Sequence, residues 1–163
     1  MPRWMIAVIP GAVVLAVGVA WWLTRVSIPP CEGFEATDLR NVHLEQGCVE
    51  LTAQAHYEIV VKQRIPGNLI DDERQLYLFP LFAEGGTNDR GIRVLVRTER
   101  PPEAYVSFET MTVAGRLLPV TGDDVPPGTE VRIGQRSDYF FTDGMMLLVP
   151  DRITSDGEVW ERP

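Results

Sequence analysis

His43 and His56 are the only histidines in the chain, and both fall among polar side chains, with Glu50 and Glu58 nearby in sequence. A metal centre needs a third and a fourth ligand, and no His/Cys/Asp/Glu cluster has ligand spacing. The pair is therefore expected to lie on the wet faces of strands. Cys48 could act as a nucleophile with His43 as its base, but nothing in the sequence supplies an orienting group or an oxyanion hole. Asp71, Asp72 and Glu73, and again Asp123 and Asp124, could pair for acid–base work. They lack the Asp-x-Asp-x-Asp-Gly spacing of a calcium loop and read as solvated loop acids. Ser27, Ser107, Ser137 and Ser155 stand outside any Gly-x-Ser-x-Gly, and no phosphate-cradling glycine loop occurs. No catalytic signature emerges, so the expectation is a protein without enzymatic activity, cofactor or metal.

Contact is the chemistry that remains. Arg90, Arg93, Arg97 and Arg100 form the one basic cluster, and Arg93 and Arg97 share a face of the predicted strand from Ile92 to Val96. They could receive an acidic partner or a lipid phosphate; pairing with local acids is the plainer expectation. The stretch from Leu76 to Phe82 is apolar on both faces. It reads as a doubly buried central strand or as an edge that docks a partner, and Pro80 favours the edge. Arg93, Arg97, Tyr77, Phe79 and Phe82 are accordingly the expected interaction surface. Cys31 and Cys48 are the only cysteines and are expected to pair as a disulfide in an oxidising compartment. Neither Cys-x-x-Cys nor a haem-attachment motif is present.

The elements that position these residues begin with a membrane span. Residues 4 to 24 carry no charged side chain, and about 20 apolar residues suffice for a helix to cross about 30 Å of hydrocarbon. Trp4 at one end and Trp21 and Trp22 at the other fit the headgroup level, with Arg3 and Arg25 outside them. The alternative is a cleaved signal peptide ending near Gly18-Val19-Ala20, but the apolar run continues through Trp21, Trp22 and Leu23 and is long for a signal core. A lipoprotein site at Cys31 would need small residues where Ile28-Pro29-Pro30 stand. Arg3 and the α-amino group on one side, against Arg25 soon followed by Glu32, Glu35 and Asp38, place the N-terminus in the cytoplasm. The expected plan is an anchor over residues 1–25, a tether and loop over 26–38, and an extracytoplasmic domain over 39–163.

That outer part is acidic. Beyond residue 25 stand 13 arginines and lysines against 23 acids, a net charge of −10. Nucleic acid and a polybasic hold on lipid both need a concentrated positive face, so neither is expected. From Val49 to Val61 apolar and polar residues alternate strictly, the mark of a strand with one wet face. At about 3.3 Å per residue it would exceed a usual strand length, so a bend or bulge is expected within it. Gln46-Gly47 is expected to turn a hairpin in which Leu44 opposes Val49 and Val42 opposes Leu51. Asp143-Gly144, between two apolar runs, is the strongest hairpin signal in the chain. Further strands are expected over 75–83, 91–98, 105–109, 110–118, 129–134, 138–142 and 145–149. The fold class is all-β, a small barrel or sandwich with an OB-like barrel favoured, behind a single N-terminal transmembrane helix.

One span followed by a small β-barrel resembles the architecture of the periplasmic haem chaperone of cytochrome c maturation. That family uses a histidine with a nearby tyrosine late in the chain, whereas no histidine follows His56 here, so haem binding does not carry over. The expected function is that of an accessory, assembly or interaction subunit of a bacterial inner-membrane complex, with a membrane protein as partner. The alternatives are a carrier for a small ligand at the barrel mouth, and an enzyme whose site the sequence does not display.

Overall fold

The computed structural model describes residues 28–40, 44–65, 74–85, 90–102, 108–121, 124–129 and 138–163. The expected span at 4–24 lies outside them, as do His43, the acids at 71–73 and 123, and most of the strand expected at 129–134. Among the described residues no helix is long and apolar enough to cross a membrane.

Among the described residues eight strands form one mixed sheet: β1 (Glu35–Ala36), β2 (Gly47–His56), β3 (Val61–Ile65), β4 (Arg74–Phe82), β5 (Gly91–Thr98), β6 (Phe108–Pro119), β7 (Phe140–Ser155) and β8 (Glu158–Glu161). The order is β1-β2-β6-β7-β5-β4-β3, with β8 paired to β7. The sheet curls until β4 meets β2 again, through Gln54↔Phe82 and Ala55↔Leu81. All pairings in this ring are antiparallel except β5 with β7.

Alternation decides which side chains the curled sheet encloses. On β2 the residues Val49, Leu51, Ala53 and Ala55 are buried, and Glu50, Thr52, Gln54 and His56 turn outward. They meet Phe79, Leu81, Val94, Val96, Met111, Val113 and Leu148 in the main core. The expected bend is present: a 3₁₀ turn at Tyr57–Ile59 breaks the long alternating run and sends the chain into β3. A second apolar cluster coats the outer face of β4, β5 and β7, where Ile59, Phe82, Ile92, Leu95, Leu147 and Val149 pack with Ile28, Leu118, Val120 and Tyr139. Those three strands are therefore apolar on both faces.

Three local expectations are corrected. Asp143-Gly144 does not turn a hairpin, because residues 140–155 form one continuous strand. The positive φ of Gly144, 75°, serves instead the irregularity where β5 and β7 shift register between Ile92 and Val94. The tight hairpin lies further on, at Asp156-Gly157, whose φ values of 46° and 83° fit the two left-handed central residues of a type I′ turn between β7 and β8. Leu44 does not oppose Val49 in a hairpin. Glu35 is the residue paired with Val49 there, through the parallel β1–β2 contact, while Leu44 packs against the main core. Finally, β4 is not an edge. Pro80 is tolerated because the flank of β4 is paired with β3 as far as Leu78 and with β2 from Leu81, so Pro80 falls between the two ladders.

A bulge in β7 shapes the end of the domain against which residues 28–31 lie. Ala114 pairs with Arg152 and Gly115 with Pro150, so Asp151 is the extra residue. A Cβ on Gly115 would stand 2.3 Å from the Val149 carbonyl oxygen and 2.6 Å from Pro150 Cα, both backbone atoms. Gly115→Ala should therefore destabilise the domain by about 1–3 kcal/mol through overpacking. Urea unfolding checks this; an unchanged midpoint would contradict the close approach of β6 and β7.

Candidate functional site

Residues 28–31 are built into the domain. Cys31 and Cys48 form the expected disulfide, with Cα atoms 5.8 Å apart. The Cys31 N–H donates to Asp151 Oδ2 at 2.9 Å, and Asp151 Oδ1 pairs with Arg162 at 2.8 Å. Arg162 also donates to the Ile28 carbonyl at 3.0 Å, and Arg116 to the Pro29 carbonyl at 3.3 Å. The bulge is what turns Asp151 toward this junction, since an extra residue breaks the alternation of a strand and re-aims one side chain. Its carboxylate is largely covered, with 14 % of the side chain exposed, and one oxygen meets each partner. Three non-covalent contacts and one covalent bond thus hold residues 28–31 to β2, β6, β7 and the chain beyond β8.

Across the sheet a charged network is buried. Arg100 holds Glu109 through two guanidinium nitrogens, at 2.8 and 3.3 Å, and the Tyr57 hydroxyl donates to the same carboxylate. Ser155 is 2 % exposed and Glu109 5 %. Burial alone would raise the Glu109 carboxyl, but hydrogen bonds from Arg100, Ser155 and Tyr57 and the charge of Arg100 outweigh it and hold it below its ordinary value. Burial, joined by the hydrogen bond to Glu109, pushes the Tyr57 hydroxyl well above the usual tyrosine range. Burial would depress the Arg100 guanidinium, yet Glu109 more than compensates and raises it. A carboxylate locked ionised beside a locked cation neither gives nor takes a proton near neutrality. This arrangement pins the 3₁₀ turn at Tyr57–Ile59 and the chain just beyond β5 to β6 and β7.

His56 belongs to an aromatic cluster. Its ring lies 4.5 Å from Phe82 and 4.7 Å from Phe108, and Nδ1 shares a 3.3 Å hydrogen bond with the Tyr139 hydroxyl. Burial lowers its basicity, against an opposing pull from Glu58. Phe108 is half exposed beside it. Cys48 is bridged, so it is no thiol nucleophile.

The residues expected to form one interaction surface are dispersed. Phe79 and Phe82 are buried, at 1 % and 6 % exposure, on opposite faces of β4, and Tyr77 is half-buried with Lys62 over its ring. The alternation that places Phe79 inward puts Phe82 outward, into the second cluster. Arg97 pairs with Asp124 at 3.0 Å, and Arg90 pairs with Asp138. Burial would raise the Asp124 carboxyl, but hydrogen bonds from the Thr121 hydroxyl and N–H, followed by Arg97, bring it below its ordinary value. The arginine cluster thus pairs largely with acids of its own domain, the plainer of the two expectations. Arg93 differs: it donates to the Leu39 carbonyl at 2.8 Å and borders a cleft of about 250 Å³. Leu81, Phe82 and Leu39 give that cleft an apolar lining, with Arg40 and Arg93 beside it.

Sequence reasoning named the disulfide but missed Asp151, whose role depends on a bulge that has no local signature, and Arg162 and Arg116, whose roles depend on strand pairings distant in sequence. Glu109 did carry a signal. It shares the parity of the inward-facing Met111 and Val113 along β6, so an acid at that position had to be buried with a cation. Among the described residues no group of three His, Cys, Asp or Glu is placed to hold a metal ion. Comparison with known proteins identifies no relative: no protein-family model, no curated protein and no solved structure matches the chain.

Proposed function

We propose that this chain is a single-pass membrane protein of a bacterial cell envelope, acting as an accessory or assembly subunit of a membrane complex. The observation that carries the reading is the uncharged run of residues 4–24 with tryptophans at both ends. The disulfide supports it, because a domain that keeps two cysteines bridged suits the oxidising side of the membrane. The N-terminus is then cytoplasmic and the β-domain periplasmic or extracellular. The domain is read as an OB-like barrel: the five long ring strands follow one another as β2-β4-β5-β7-β6, and the third and last of them in chain order run parallel, as that topology requires. It works by protein contact and carries out no chemistry of its own.

Tethering confines such a domain to the bilayer and raises its effective concentration near a membrane partner. Complementation of a deletion strain should therefore succeed with the full chain and with the domain on an unrelated anchor, and fail with a secreted domain at matched abundance. A reporter fused after Pro163 should be active only if it works outside the cytoplasm. Full rescue by the untethered domain would overturn the reading. The second reading, a ligand carrier, rests on the cleft at Leu39, Leu81 and Phe82. Two guanidinium groups beside an apolar lining suit a small anion with an apolar body. Rescue without the anchor would favour it.

A further inference from the structure

We propose that the outer face of β2, β6, β7 and β8 lies against the membrane surface, with phospholipid headgroups as its partner. The inference rests on the reading of residues 4–24 as a retained span, and it adds which side of the domain the bilayer meets. Chain length supplies the first constraint. From Thr24 to Ile28 there are four Cα steps, which reach at most about 14 Å when fully extended. Ile28 must then sit within or just above the headgroup layer.

The junction supplies the second constraint. In a domain on a loose leash, a nearby first residue would say nothing of orientation. Here the residues from Ile28 to Cys31 are held by the disulfide, by Asp151 and by the arginine contacts to two carbonyls. The domain therefore cannot pivot about this segment without breaking several of these at once.

Register then identifies the face. Residues directly opposed in antiparallel strands project to the same side. Cys48 opposes Arg116, and Thr52, Thr112, Thr154 and Val159 form one row across the four strands. The next row runs through Glu50, Ala114, Arg152 and Glu161. The bridge that holds the tether lies on this same outward side, beside the apolar cluster of β4, β5 and β7 against which Ile28 packs. Its composition suits a headgroup layer. Val159 is 59 % exposed and Phe34 37 %, and the Arg152 guanidinium sits 5.8 Å from the Phe34 ring. Arg152 is paired with Glu50 and Arg162 with Asp151, so the face mixes both signs. Such a face matches zwitterionic lipid, which offers phosphate and ammonium together, and it needs no anionic lipid despite the acidic domain.

The test uses the full chain reconstituted into phosphatidylcholine vesicles that contain a lipid spin-labelled at its headgroup. One protein carries Val159→Cys and another Ile65→Cys, each labelled with the same fluorophore. Both positions are exposed, and Ile65 ends β3, which pairs with β4 and belongs to none of the four strands of the proposed face. Both proteins should co-float with the vesicles, and quenching at position 159 should exceed that at 65 several-fold. Equal quenching at the two sites, or stronger quenching at 65, in protein that co-floats overturns the orientation while leaving the anchor intact. Protein that fails to co-float overturns the anchor, and the orientation with it.

Discussion

Glu109→Leu should lower the stability of the domain by about 3–5 kcal/mol, the usual cost of removing one partner from a buried ion pair. The side chains of Arg100 and Glu109 are only 12 % and 3 % exposed, so the substitution strands a guanidinium with little water to replace the carboxylate. It also removes the acceptor of the Tyr57 hydroxyl. The loss comes from what is left behind, and not from a large net value of the pair itself. Replacing the whole network by apolar groups of similar size, with Tyr57→Phe and Arg100→Met added, should recover most of the stability. Urea unfolding of the domain from Ile28 onward measures both. A single variant as stable as the parent would mean that Glu109 is not buried against Arg100.

The same carboxylate sets a pH dependence. Its folded pKa lies below the ordinary value of 4.5, so the folded state favours the ionised form more than the unfolded chain does. The sign follows from linkage: the stabilisation is complete above the unfolded pKa and drains away as the pH falls through the lower folded value. Stability should thus fall on acidification below about pH 4.5, more steeply in the parent than in Glu109→Gln. Asp124, held low by Thr121 and Arg97, adds in the same direction, but its more exposed surroundings make the share smaller.

Much of the sheet was legible because burial enforces alternation. The strand expected at 91–98 is β5 to the residue, and the bend expected inside 49–61 falls at Tyr57–Ile59. What failed were features that depend on a distant strand. Asp-Gly satisfies any backbone site that needs positive φ, so the dipeptide at 143–144 reads the same whether it turns a hairpin or eases a register shift. Only the parallel pairing of β7 with β5 decides, and parallel neighbours leave no mark on local sequence. The true hairpin at Asp156-Gly157 escaped because β8 has four residues, too few for a period to show. Pro80 misled for a related reason. It does mark a missing ladder hydrogen bond, but the gap lies between two neighbours of a central strand and not at the rim of the sheet.

The candidate site divides the same way. The cysteine pair was visible from an even count and an expected oxidising compartment, whereas Asp151 required the β6–β7 bulge and Arg162 required β8 to fold back along β7. The apolar run at 76–82 was sound as apolar but not as a surface. Alternation sent Phe79 and Phe82 into two different clusters, each already covered by other elements. An exposed docking edge would have left one of those faces uncovered.

Replacing both cysteines, Cys31→Ser with Cys48→Ser, should cost about 3 kcal/mol, the chain-entropy value for a loop of this length. The bridge spans 17 positions. Its removal has a second consequence, because it is the only covalent hold on the tether. The remaining contacts are an N–H to Asp151 and two arginine bonds to carbonyls, each worth about 1 kcal/mol in a half-exposed setting. They can hold the segment part of the time, and thermal opening should then free residues 28–34, up to the β1–β2 pairing, for a protease that spares the bridged protein. Limited proteolysis should accordingly cut the double variant between residue 28 and β1 at denaturant-free conditions, while the body of the sheet survives. Two results would refute this account. Mass spectrometry of unreduced, alkylated parent protein could find both thiols freely modified, or the double variant could unfold at the parent midpoint with the tether still protected. The comparison also separates two roles of the bridge: a loss of stability with residues 28–34 protected would assign it to the fold alone, whereas an open segment on an intact sheet would assign it to holding residues 28–31 against β2, β6 and β7.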